Sequence, residues 1–293
     1  MNILMTGGTG FIGTQLSEYL INRGFTITVL TRNSQANKKD IEFVTSLNDI
    51  HPEKSFHAVI NLAGASISNR WSKSYKTKLI NSRVALTKNL VEFISAMKVK
   101  PTCLISASAI GYYGSQSSNP LDEASSPNKE FTHELCRAWE EAAQPVKDAG
   151  VRLCIMRIGI VLGQGGALKK MLPAFRLGLG GPIGSGEQYM SWIQIKDLLR
   201  IIEKLVSDDS FEGVYNATAP NPVTNKEFSI ALGKALSRPA IFPMPAFMVK
   251  LLFGEMGDRL LLKGQNVLPG KLLSEGFDFN FKEINSALAE SLK

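Results

Sequence analysis

The chain begins MNILMTGGTGFIG, and the glycine spacing in that stretch is its first chemical signal. Gly7, Gly10 and Gly13 follow a short apolar run at intervals of three residues. In a strand–turn–helix unit, the first glycine permits a tight turn, the second lets backbone amides approach a diphosphate, and the third lets the helix lie close to the sheet. The helix N-terminus adds unpaired N–H groups and a positive dipole. The stretch therefore predicts a dinucleotide diphosphate site; the alternative is a tight turn without a ligand.

The residues after the second predicted strand indicate which dinucleotide binds. A site for NAD usually has an acidic residue about 20 residues beyond the glycine turn, where it binds the ribose hydroxyls. Here the stretch reads LTRNSQANKK, and the first acidic residue after the strand is Asp40. Arg32, with Thr31 beside it, suits a 2′-phosphate, because a guanidinium can bind a phosphate through two hydrogen bonds. The pattern favours NADP(H); the alternative for Arg32 is a solvated surface arginine.

Strand-like and helix-like segments alternate along the first half of the chain. The predicted strands are 2–5, 25–30, 58–62, 103–106 and 153–158, and the predicted helices are 11–23, 72–97 and 129–147. This alternation is typical of an α/β fold with a doubly wound parallel sheet of the Rossmann type. Beyond Leu162 it decays into a glycine-rich loop and helices near 196–206, 225–236 and 247–253. We therefore expect an NADP-binding Rossmann domain over residues 1–165, to which residues 187–220 return, and a smaller, mostly helical substrate-binding region over residues 166–293.

Composition and charge narrow the class of partner. The chain has 293 residues, of which 44% are hydrophobic, and a formal charge of +7. The basic residues are dispersed, so we expect no nucleic acid, and an anionic small molecule accounts for the charge equally well. No stretch approaches the ~18 apolar residues of a membrane span, so no membrane partner is expected. Three histidines and no Cys–x–x–Cys pattern argue against a metal. The three cysteines are typical of reduced thiols. We expect a cytoplasmic protein with a small-molecule substrate, and a homodimer is left open.

Several longer motifs resemble one family. TGGTGFIG, NLAG at Asn61–Gly64 and SASAIGYYG at Ser106–Gly114 resemble the extended short-chain dehydrogenase/reductases, the superfamily of nucleotide-sugar epimerases and dehydratases. RAWEEAA, RIGIVLGQGG, FRLGLGGPIGSGEQYMSWI and the C-terminal GQNVLPGKLLSEGFDF look like its atypical branch, the NAD(P)-dependent epimerase family with its own C-terminal segment. The resemblance covers essentially the whole chain and implies a Rossmann fold that binds NADP(H).

The resemblance also implies positions for the cofactor. It places Gly7, Gly10, Phe11, Ile12 and Gly13 at the diphosphate, Thr31 and Arg32 at the 2′-phosphate, and Leu62, Ala63 and Gly64 along the adenine and ribose. It places Arg83 near cofactor or substrate oxygens and Val161 against the nicotinamide. The alternatives are ordinary core packing for Leu62 and Val161 and a structural ion pair for Arg83.

The usual catalytic pair of the superfamily is absent. Its members carry Tyr-x-x-x-Lys on the helix after SASAIGYYG, where the tyrosine exchanges a proton with the substrate and the lysine lowers the pKa of the tyrosine. Here the helix reads NKEFTHELCRAWEEAA, which puts Thr132 and Cys136 at those positions. In the superfamily a serine also steadies the substrate oxygen, and the resemblance places Ser108 at that position. Tyr112 or Tyr113 is then the candidate proton donor from the loop.

Each catalytic candidate has a structural alternative. A serine in such a loop often caps a turn, and a tyrosine before a glycine often packs with its hydroxyl at the rim. His133 and Glu134 are substitute bases, although we expect His133 to be an exposed helical residue without a special role. Cys136 is a poor nucleophile, because no histidine or lysine is placed to lower the pKa of its thiol.

Two C-terminal segments and two functions complete the expectations. Gly178–Gly186 is either a mobile lid or a connecting loop. The apolar residues of Phe247–Phe253 and Leu260–Leu262 are expected to complete the core, with a substrate pocket or a subunit contact as alternatives.

Two functions are compatible with these observations. One is an NADP-dependent oxidoreductase or epimerase-like enzyme for a small, sugar- or lipid-like carbonyl or alcohol. The other is a catalytically weak NADP(H)-binding regulatory or redox-sensing protein linked to cell division. The glycine turn favours the first, and the missing Tyr–Lys pair favours the second.

Overall fold

A computed structural model describes residues 1–116 and 118–293, in which strands and helices alternate. The strands are β1 (Asn2–Thr6), β2 (Thr26–Leu30), β3 (Ile41–Val44), β4 (Ala58–Asn61), β5 (Cys103–Ala109), β6 (Pro120–Leu121), β7 (Arg152–Ile158), β8 (Ile160–Leu162), β9 (Tyr189–Met190), β10 (Trp192–Gln194), β11 (Gly213–Ala217), β12 (Val223–Thr224) and β13 (Asn266–Val267). The α-helices are α1 (Phe11–Ile21), α2 (Lys73–Ala96), α3 (Phe131–Ala143), α4 (Gly166–Arg176), α5 (Ile195–Ser207), α6 (Asn225–Ala235), α7 (Ala246–Phe253), α8 (Glu255–Leu260), α9 (Gly270–Ser274) and α10 (Ile284–Ser291). Short 3-10 helices cover Leu47–Asp49, Ile110–Tyr113 and Gln144–Ala149.

A parallel sheet of seven strands carries the fold, in the order β3–β2–β1–β4–β5–β7–β11. Its central strands are short apolar runs buried on both faces, such as Ile3, Leu4 and Met5 in β1. Strand order reverses between β1 and β4, and in open sheets of this kind ligands bind beyond the carboxyl ends of the strands at that point. The predicted fold class, a doubly wound Rossmann-type sheet, is confirmed.

Helices cover both faces of the sheet. α1 and α5 pack on one face through residues such as Leu16, Leu20 and Ile202. α2 and the end of α3 pack on the other through residues such as Leu90 and Ala143. The chain returns from α5 to β11 at the edge of the sheet. Residues from α5 to β11 therefore belong to the sheet layers, although they follow α4 in the sequence.

The smaller C-terminal region is mostly helical and has its own core. α4, α6 and α10 surround Trp192 and Phe228, which are fully buried. The strand pairs β8–β10, β9–β12 and β6–β13 connect this region to the rest of the chain. α8 reaches back to α2 and α3, because Met256 is buried beside Leu79 and Leu135. In the described residues no helix combines the length and hydrophobicity needed to cross a membrane.

Two elements differ from the sequence expectations. β3 is a four-residue strand, IEFV, at one edge of the sheet. It is a strand because its backbone pairs with β2. α4 begins at Gly166 and contains Pro173, and no helix is predicted there from the sequence. It is helical because its apolar side packs into the C-terminal core through Leu168 and Phe175.

The expectation that Phe247–Phe253 completes the core is wrong for most of that segment. Val249 is buried, whereas Phe247 is 70% and Leu251 72% exposed. The segment forms α7 as predicted, but the helix turns most of its apolar side chains to the surface.

Candidate cofactor and active site

The turn between β1 and α1 is held by backbone packing that leaves no room for side chains. Gly7 has a φ of +72°, and a Cβ there would lie 2.8 Å from the carbonyl carbon and oxygen of Leu62. A Cβ on Gly13 would lie 2.3 Å from Gly7 O. Gly10 N donates to Gly7 O at 3.0 Å and closes the turn. β1, α1 and the segment after β4 therefore meet backbone to backbone.

The first turn of α1 presents free amides to this cradle. Gly10 caps the helix without a side-chain hydrogen bond, and the first turn has no acidic residue. The N–H groups of Phe11 and Ile12 have no partner within the helix. The Phe11 ring packs on a second glycine turn, since Cβ atoms on Gly163 and Gly165 would lie 2.9 and 2.3 Å from it. Unpaired amides, a helix dipole and absent side chains fit the diphosphate of a dinucleotide.

The end of β2 lies next to the glycine turn. A Cβ on Gly8 would lie 2.7 Å from Val29 Cγ1 in that strand. Thr31 is half-buried, Arg32 is exposed, and Asn33 N donates to Thr31 Oγ1 at 3.5 Å. A hydroxyl and a cation therefore follow β2 where an NAD site has a carboxylate.

The segment after β4 is held by a buried chain of hydrogen bonds. Thr6 Oγ1 donates to Asn61 Oδ1 at 2.7 Å and accepts from Ala63 N at 3.3 Å. Asn61 Nδ2 donates to Thr87 Oγ1 at 2.8 Å, and Trp139 Nε1 donates to the same oxygen at 3.1 Å. Because β1, β4, α2 and α3 each contribute a group, the backbone of Leu62–Gly64 is held in place against the glycine turn.

Arg83 on α2 lies under this segment. Its Nη2 donates to Ala65 O at 3.0 Å, and a Cβ on Gly64 would lie 2.9 Å from Arg83 Cζ. Burial lowers the pKa of the Arg83 guanidinium, and the ionisable groups that interact with it, Cys136 and Tyr75, are not carboxylates. The structural ion pair considered for Arg83 is therefore not formed with the described residues.

Ser108 lies at the carboxyl end of β5 in a buried polar row. Strand register places it beside Arg157 of β7, and Arg157 beside Asn216 of β11. Ser108 Oγ donates to Glu140 Oε1 at 2.7 Å. Arg157 donates to both oxygens of the Glu140 carboxylate, from Nε and Nη2, each at 2.9 Å. The side chains of Arg157 and Glu140 are 5% and 9% exposed, so this is a buried, bidentate ion pair. Because the Ser108 hydroxyl donates its proton to Glu140, the Ser108 oxygen is left to act as a hydrogen-bond acceptor.

The two loop tyrosines have different environments. Tyr113 is fully buried; its hydroxyl donates to Asn216 Oδ1 at 2.7 Å and accepts from Arg157 Nη1 at 3.0 Å. Burial raises the pKa of Tyr113 to about 12. Tyr112 is half-buried, and Arg157 Cζ lies 3.3 Å from the centre of its ring. Arg157 therefore orients both rings, while among the described residues nothing hydrogen-bonds to the Tyr112 hydroxyl.

The two positions of the missing pair, Thr132 and Cys136, are buried on α3. A Cβ on Gly111 would lie 3.3 Å from Thr132 Cβ and 3.7 Å from Cys136 Sγ. Burial raises the pKa of the Cys136 thiol to about 11, so the thiol stays protonated at neutral pH. These two side chains pack against the loop that follows β5.

The two substitute bases lie on different sides of α3. The expectation that His133 is exposed is wrong: its side chain is buried, and its Nδ1 lies 2.7 Å from Tyr112 O. His133 is buried because the loop after β5 folds back over α3. Glu134 is exposed and pairs with Arg137 at 2.9 Å.

Val161, the predicted nicotinamide contact, is half-buried in β8 and pairs with Ile193. A Cβ on Gly166, the first residue of α4, would lie 3.7 Å from Val161 O and 3.3 Å from the Phe11 ring. Val161 therefore lies close to the first residue of α1. No cluster of His, Cys, Asp or Glu suited to a metal occurs in the part of the chain that is described.

Comparison with known sequences agrees with this geometry. A family profile described as "NAD dependent epimerase/dehydratase family" matches residues 3–217, and a "Domain of unknown function", DUF1731, matches residues 244–291. The chain belongs to the NAD-dependent epimerase/dehydratase family.

Relatives within this epimerase family align over nearly the whole chain. The Arabidopsis thaliana "Epimerase family protein SDR39U1 homolog, chloroplastic" is 41% identical, covering 98% of this chain and 86% of the relative. The Bacillus subtilis "Epimerase family protein YfhF" is 36% identical, covering 99% and 97%. A crystal structure of the human epimerase family protein SDR39U1 with NADPH superposes with a TM-score of 0.92 at 35% identity, covering 99% of both chains. The branch indicated by the sequence motifs is confirmed.

Sequence reasoning missed three members of the polar row: Glu140, Arg157 and Asn216. One signal was present, because Arg157 interrupts the apolar strand LCIMRI, and a buried charge requires a partner. The identity of that partner was not readable from spacing.

Proposed function

We propose that this epimerase-family protein is an NADP(H)-dependent oxidoreductase, or an epimerase-like enzyme that uses transient oxidation, for a small carbonyl or alcohol of sugar- or lipid-like character. The observation that carries the proposal is the close-packed turn of Gly7, Gly10 and Gly13 next to the end of β2. There Arg32, a cation, stands where an NAD site has a ribose-binding carboxylate, and Thr31 precedes it. The human relative crystallised with NADPH supports the choice of cofactor. When bound, the cofactor would supply or accept a hydride at its nicotinamide ring.

Each group of residues has one part of the cofactor to hold. The amides of Phe11 and Ile12 donate to the diphosphate, and Gly7, Gly10 and Gly13 keep side chains out of its way. The remaining contacts are Thr31 and Arg32 at the 2′-phosphate, Leu62, Ala63 and Gly64 along the adenine and ribose, Arg83 at ribose or substrate oxygens, and Val161 at the nicotinamide.

Tyr112 exchanges the proton with the substrate oxygen. Its hydroxyl is not hydrogen-bonded by the described residues, whereas the Tyr113 hydroxyl is held by two groups. In the reducing direction, the substrate oxygen takes the Tyr112 proton as its carbon is reduced, and water restores the phenol. Ser108, whose own proton is directed to Glu140, accepts a hydrogen bond from the substrate hydroxyl.

Arg157 is the positioning residue of this arrangement. Its guanidinium lies against the Tyr112 ring and is fixed by Glu140. The orientation that a lysine on α3 provides in the superfamily is supplied here by a cation from β7.

The C-terminal region, residues 166–293 apart from the returning segment 187–220, provides the substrate-binding part. The free, buried cysteines Cys103, Cys136 and Cys154 favour a reducing, cytoplasmic location. A small molecule is the partner, rather than nucleic acid or a membrane.

The cofactor assignment is tested by replacing Arg32. Arg32→Ala should raise the Kd for NADPH about 10- to 100-fold, because a charge-assisted contact to the 2′-phosphate is lost, and should leave the Kd for NADH unchanged. Isothermal titration calorimetry measures both, with Arg137→Ala on the outer side of α3 as the control. Equal losses for the two nucleotides would contradict the 2′-phosphate role.

The proton-transfer assignment is tested with two neighbouring tyrosines. Tyr112→Phe should lower NADPH-dependent turnover of a carbonyl panel by about 100-fold or more, since general acid catalysis is lost, without changing the Kd for NADPH. Tyr113→Phe, the matched control, should retain turnover within about tenfold. If Tyr113→Phe abolishes turnover and Tyr112→Phe does not, the assignment is reversed.

The second candidate function, a regulatory or redox-sensing NADP(H)-binding protein linked to cell division, is favoured by one observation. The positions of the Tyr–Lys pair are taken by buried Thr132 and Cys136. Tight NADPH binding without turnover on a broad panel of carbonyls and alcohols would select this function.

A further inference from the structure

A cluster of apolar side chains joins the C-terminal region to the edge of the sheet where the predicted cofactor residues lie. Trp71 and Met256 are buried at its centre. Four half-buried side chains pack around them and are together called the apolar wall: Ala65, Ile67, Phe131 and Leu260. They come from the segment after β4, from α3 and from α8, which are far apart in sequence. Half-exposed apolar side chains that converge at a cleft are typical of the lining of a small-molecule pocket.

The apolar wall adjoins the proposed reaction centre on two sides. Ala65 directly follows the segment that is predicted to line the adenine and ribose. Phe131 directly precedes Thr132, and a Cβ on Gly111, the residue before Tyr112, would lie 3.3 Å from Thr132 Cβ. The loop that carries Tyr112 therefore packs on the same turn of α3 that carries Phe131. A substrate whose oxygen meets Tyr112 has the apolar wall beside it.

The polar atoms around the wall are hydrogen-bonded to one another. Trp71 Nε1 donates to Ile67 O at 2.9 Å. The Tyr75 hydroxyl donates to Ser66 O at 2.6 Å and accepts from Asn69 Nδ2 at 2.8 Å. A site that recognises a sugar presents donors and acceptors that stay unpaired until the sugar hydroxyls bind. Here these donors and acceptors already have partners within the chain, so the surface suits an apolar molecule.

Two cations beside the wall are engaged in the same way. Lys76 pairs with Glu255 at 2.6 Å, and Arg259 pairs with Glu130 at 2.7 Å. The phosphates of a nucleotide sugar need cations that are free to bind them. Arg70, at the junction of α7 and α8, is exposed, so solvent and salt screen its charge. The charges therefore favour a neutral substrate.

We propose that the substrate is an apolar aldehyde or ketone, or the corresponding alcohol in the reverse direction, and that the apolar wall holds its hydrocarbon part. This inference rests on the proposed function, in which the carbonyl carbon accepts a hydride from NADPH and the carbonyl oxygen accepts the Tyr112 proton. The carbonyl is thereby reduced to an alcohol, and NADPH is oxidised to NADP⁺. The wall stabilises the complex by removing hydrocarbon from water.

Steady-state kinetics with two sets of compounds tests the substrate class. NADPH oxidation is followed with octanal and 2-octanone, and chromatography detects oxidised or epimerised products of UDP-glucose and UDP-glucuronic acid in the presence of NADP⁺. The kcat/KM for the apolar carbonyls should exceed that for the nucleotide sugars by about 100-fold or more, because several methylene groups contact the wall. Preferred turnover of the nucleotide sugars would overturn this inference and leave the proposed function standing.

Variants of the wall test its contact with the substrate. Leu260→Asn and Ile67→Thr keep the size of the side chain and make it polar, and each should raise the KM for octanal about 10-fold while kcat and the Kd for NADPH stay unchanged. Leu273→Asn, the same change at a 47% exposed site on α9, is the matched control and should leave KM unchanged. Arg70→Ala should also leave it unchanged. Circular dichroism shows that each variant is folded. A larger rise in KM for Arg70→Ala than for Leu260→Asn would overturn the inference in favour of an anionic substrate.

Octanamide, an unreactive analogue of the aldehyde, separates this inference from the proposed function. Isothermal titration calorimetry in the presence of NADP⁺ should show that the wild type binds octanamide and that Leu260→Asn raises its Kd about 10-fold. Such binding without turnover of any carbonyl would contradict the proposed function and support the apolar site. Octanamide that does not bind, or that binds equally to both proteins, would overturn the inference even if carbonyls are turned over.

Discussion

Glu140 shows how much one residue position can differ from the next. Glu140 and Glu141 are consecutive on α3, yet Glu140 is buried against Arg157, and Glu141 is exposed and pairs with Arg137 at 2.7 Å. Burying a carboxylate costs several kcal/mol, and the bidentate guanidinium together with the Ser108 hydroxyl offsets that cost. The buried pair therefore makes the position of Ser108 depend on α3.

Replacing these two glutamates separates the buried pair from the surface pair. Glu140→Ala should lower the free energy of unfolding by about 3–5 kcal/mol, because Arg157 is left as a buried, unpaired charge. Glu141→Ala, with the same chemistry on the same helix, should change it by less than about 0.5 kcal/mol. Urea denaturation measures both. Similar losses for the two variants would mean that the Arg157 contact does not stabilise the fold.

At the scale of elements, α8 fastens the C-terminal region to the start of α3. Arg259 Nη1 donates to Glu130 Oε2 at 2.7 Å, while Glu130 Oε1 accepts from Ser115 N and Thr132 Oγ1, each at 2.9 Å. Met256 adds a buried apolar contact. One carboxylate thus joins the loop after β5, the first turn of α3 and a helix distant in sequence.

Removing that contact should loosen α8 before anything else. Arg259→Ala should speed amide hydrogen exchange in α8 by about tenfold, because a partly buried ion pair contributes on the order of 1 kcal/mol to its local stability. Exchange in β1 and β5 should not change. The control is Arg137→Ala, whose two ion pairs are solvent-exposed. Unchanged exchange in α8 would show that the Arg259–Glu130 contact does not stabilise the helix.

At the scale of the whole molecule, the sheet and its helix layers bury several weak acids in their protonated form. Burial raises the pKa of Tyr113 to about 12, of the Cys136 thiol to about 11 and of the Cys154 thiol to about 12. A raised pKa means that the folded state holds its proton more tightly than the unfolded state does. The stability that these groups contribute is therefore present below the ordinary thiol and phenol pKa values and is lost as the pH rises through the raised ones.

The protein should accordingly lose stability on the alkaline side. Between about pH 9 and pH 11, the free energy of unfolding should fall by up to about 1.4 kcal/mol per pH unit for each proton that the chain releases on unfolding. Urea denaturation at several pH values measures the slope, and Cys136→Ala should make it shallower by removing one titrating group. A free energy that stays constant up to pH 11 would contradict this linkage.

The fold class and the tight glycine turn were readable from the sequence because their signals are local. The glycine spacing at Gly7, Gly10 and Gly13 states what backbone conformation the turn needs, and the structure shows that Cβ atoms at Gly7 and Gly13 would collide with backbone. Alternating apolar strands and amphipathic helices indicate a parallel sheet. β3 and α4 escaped prediction because pairing with β2 and packing of Leu168 and Phe175, rather than local composition, make them regular.

The contacts behind Ser108 and the exposure of α7 were decided only by the tertiary structure. Arg157 meets Glu140, and Tyr113 meets Asn216 across 103 positions, because neighbouring strands and α3 converge there. His133 is buried and Phe247 exposed for the same reason: burial depends on which distant element covers a face. A sequence pattern shows that a helix has an apolar side, but the partner that covers this side is chosen by the packing of the whole chain.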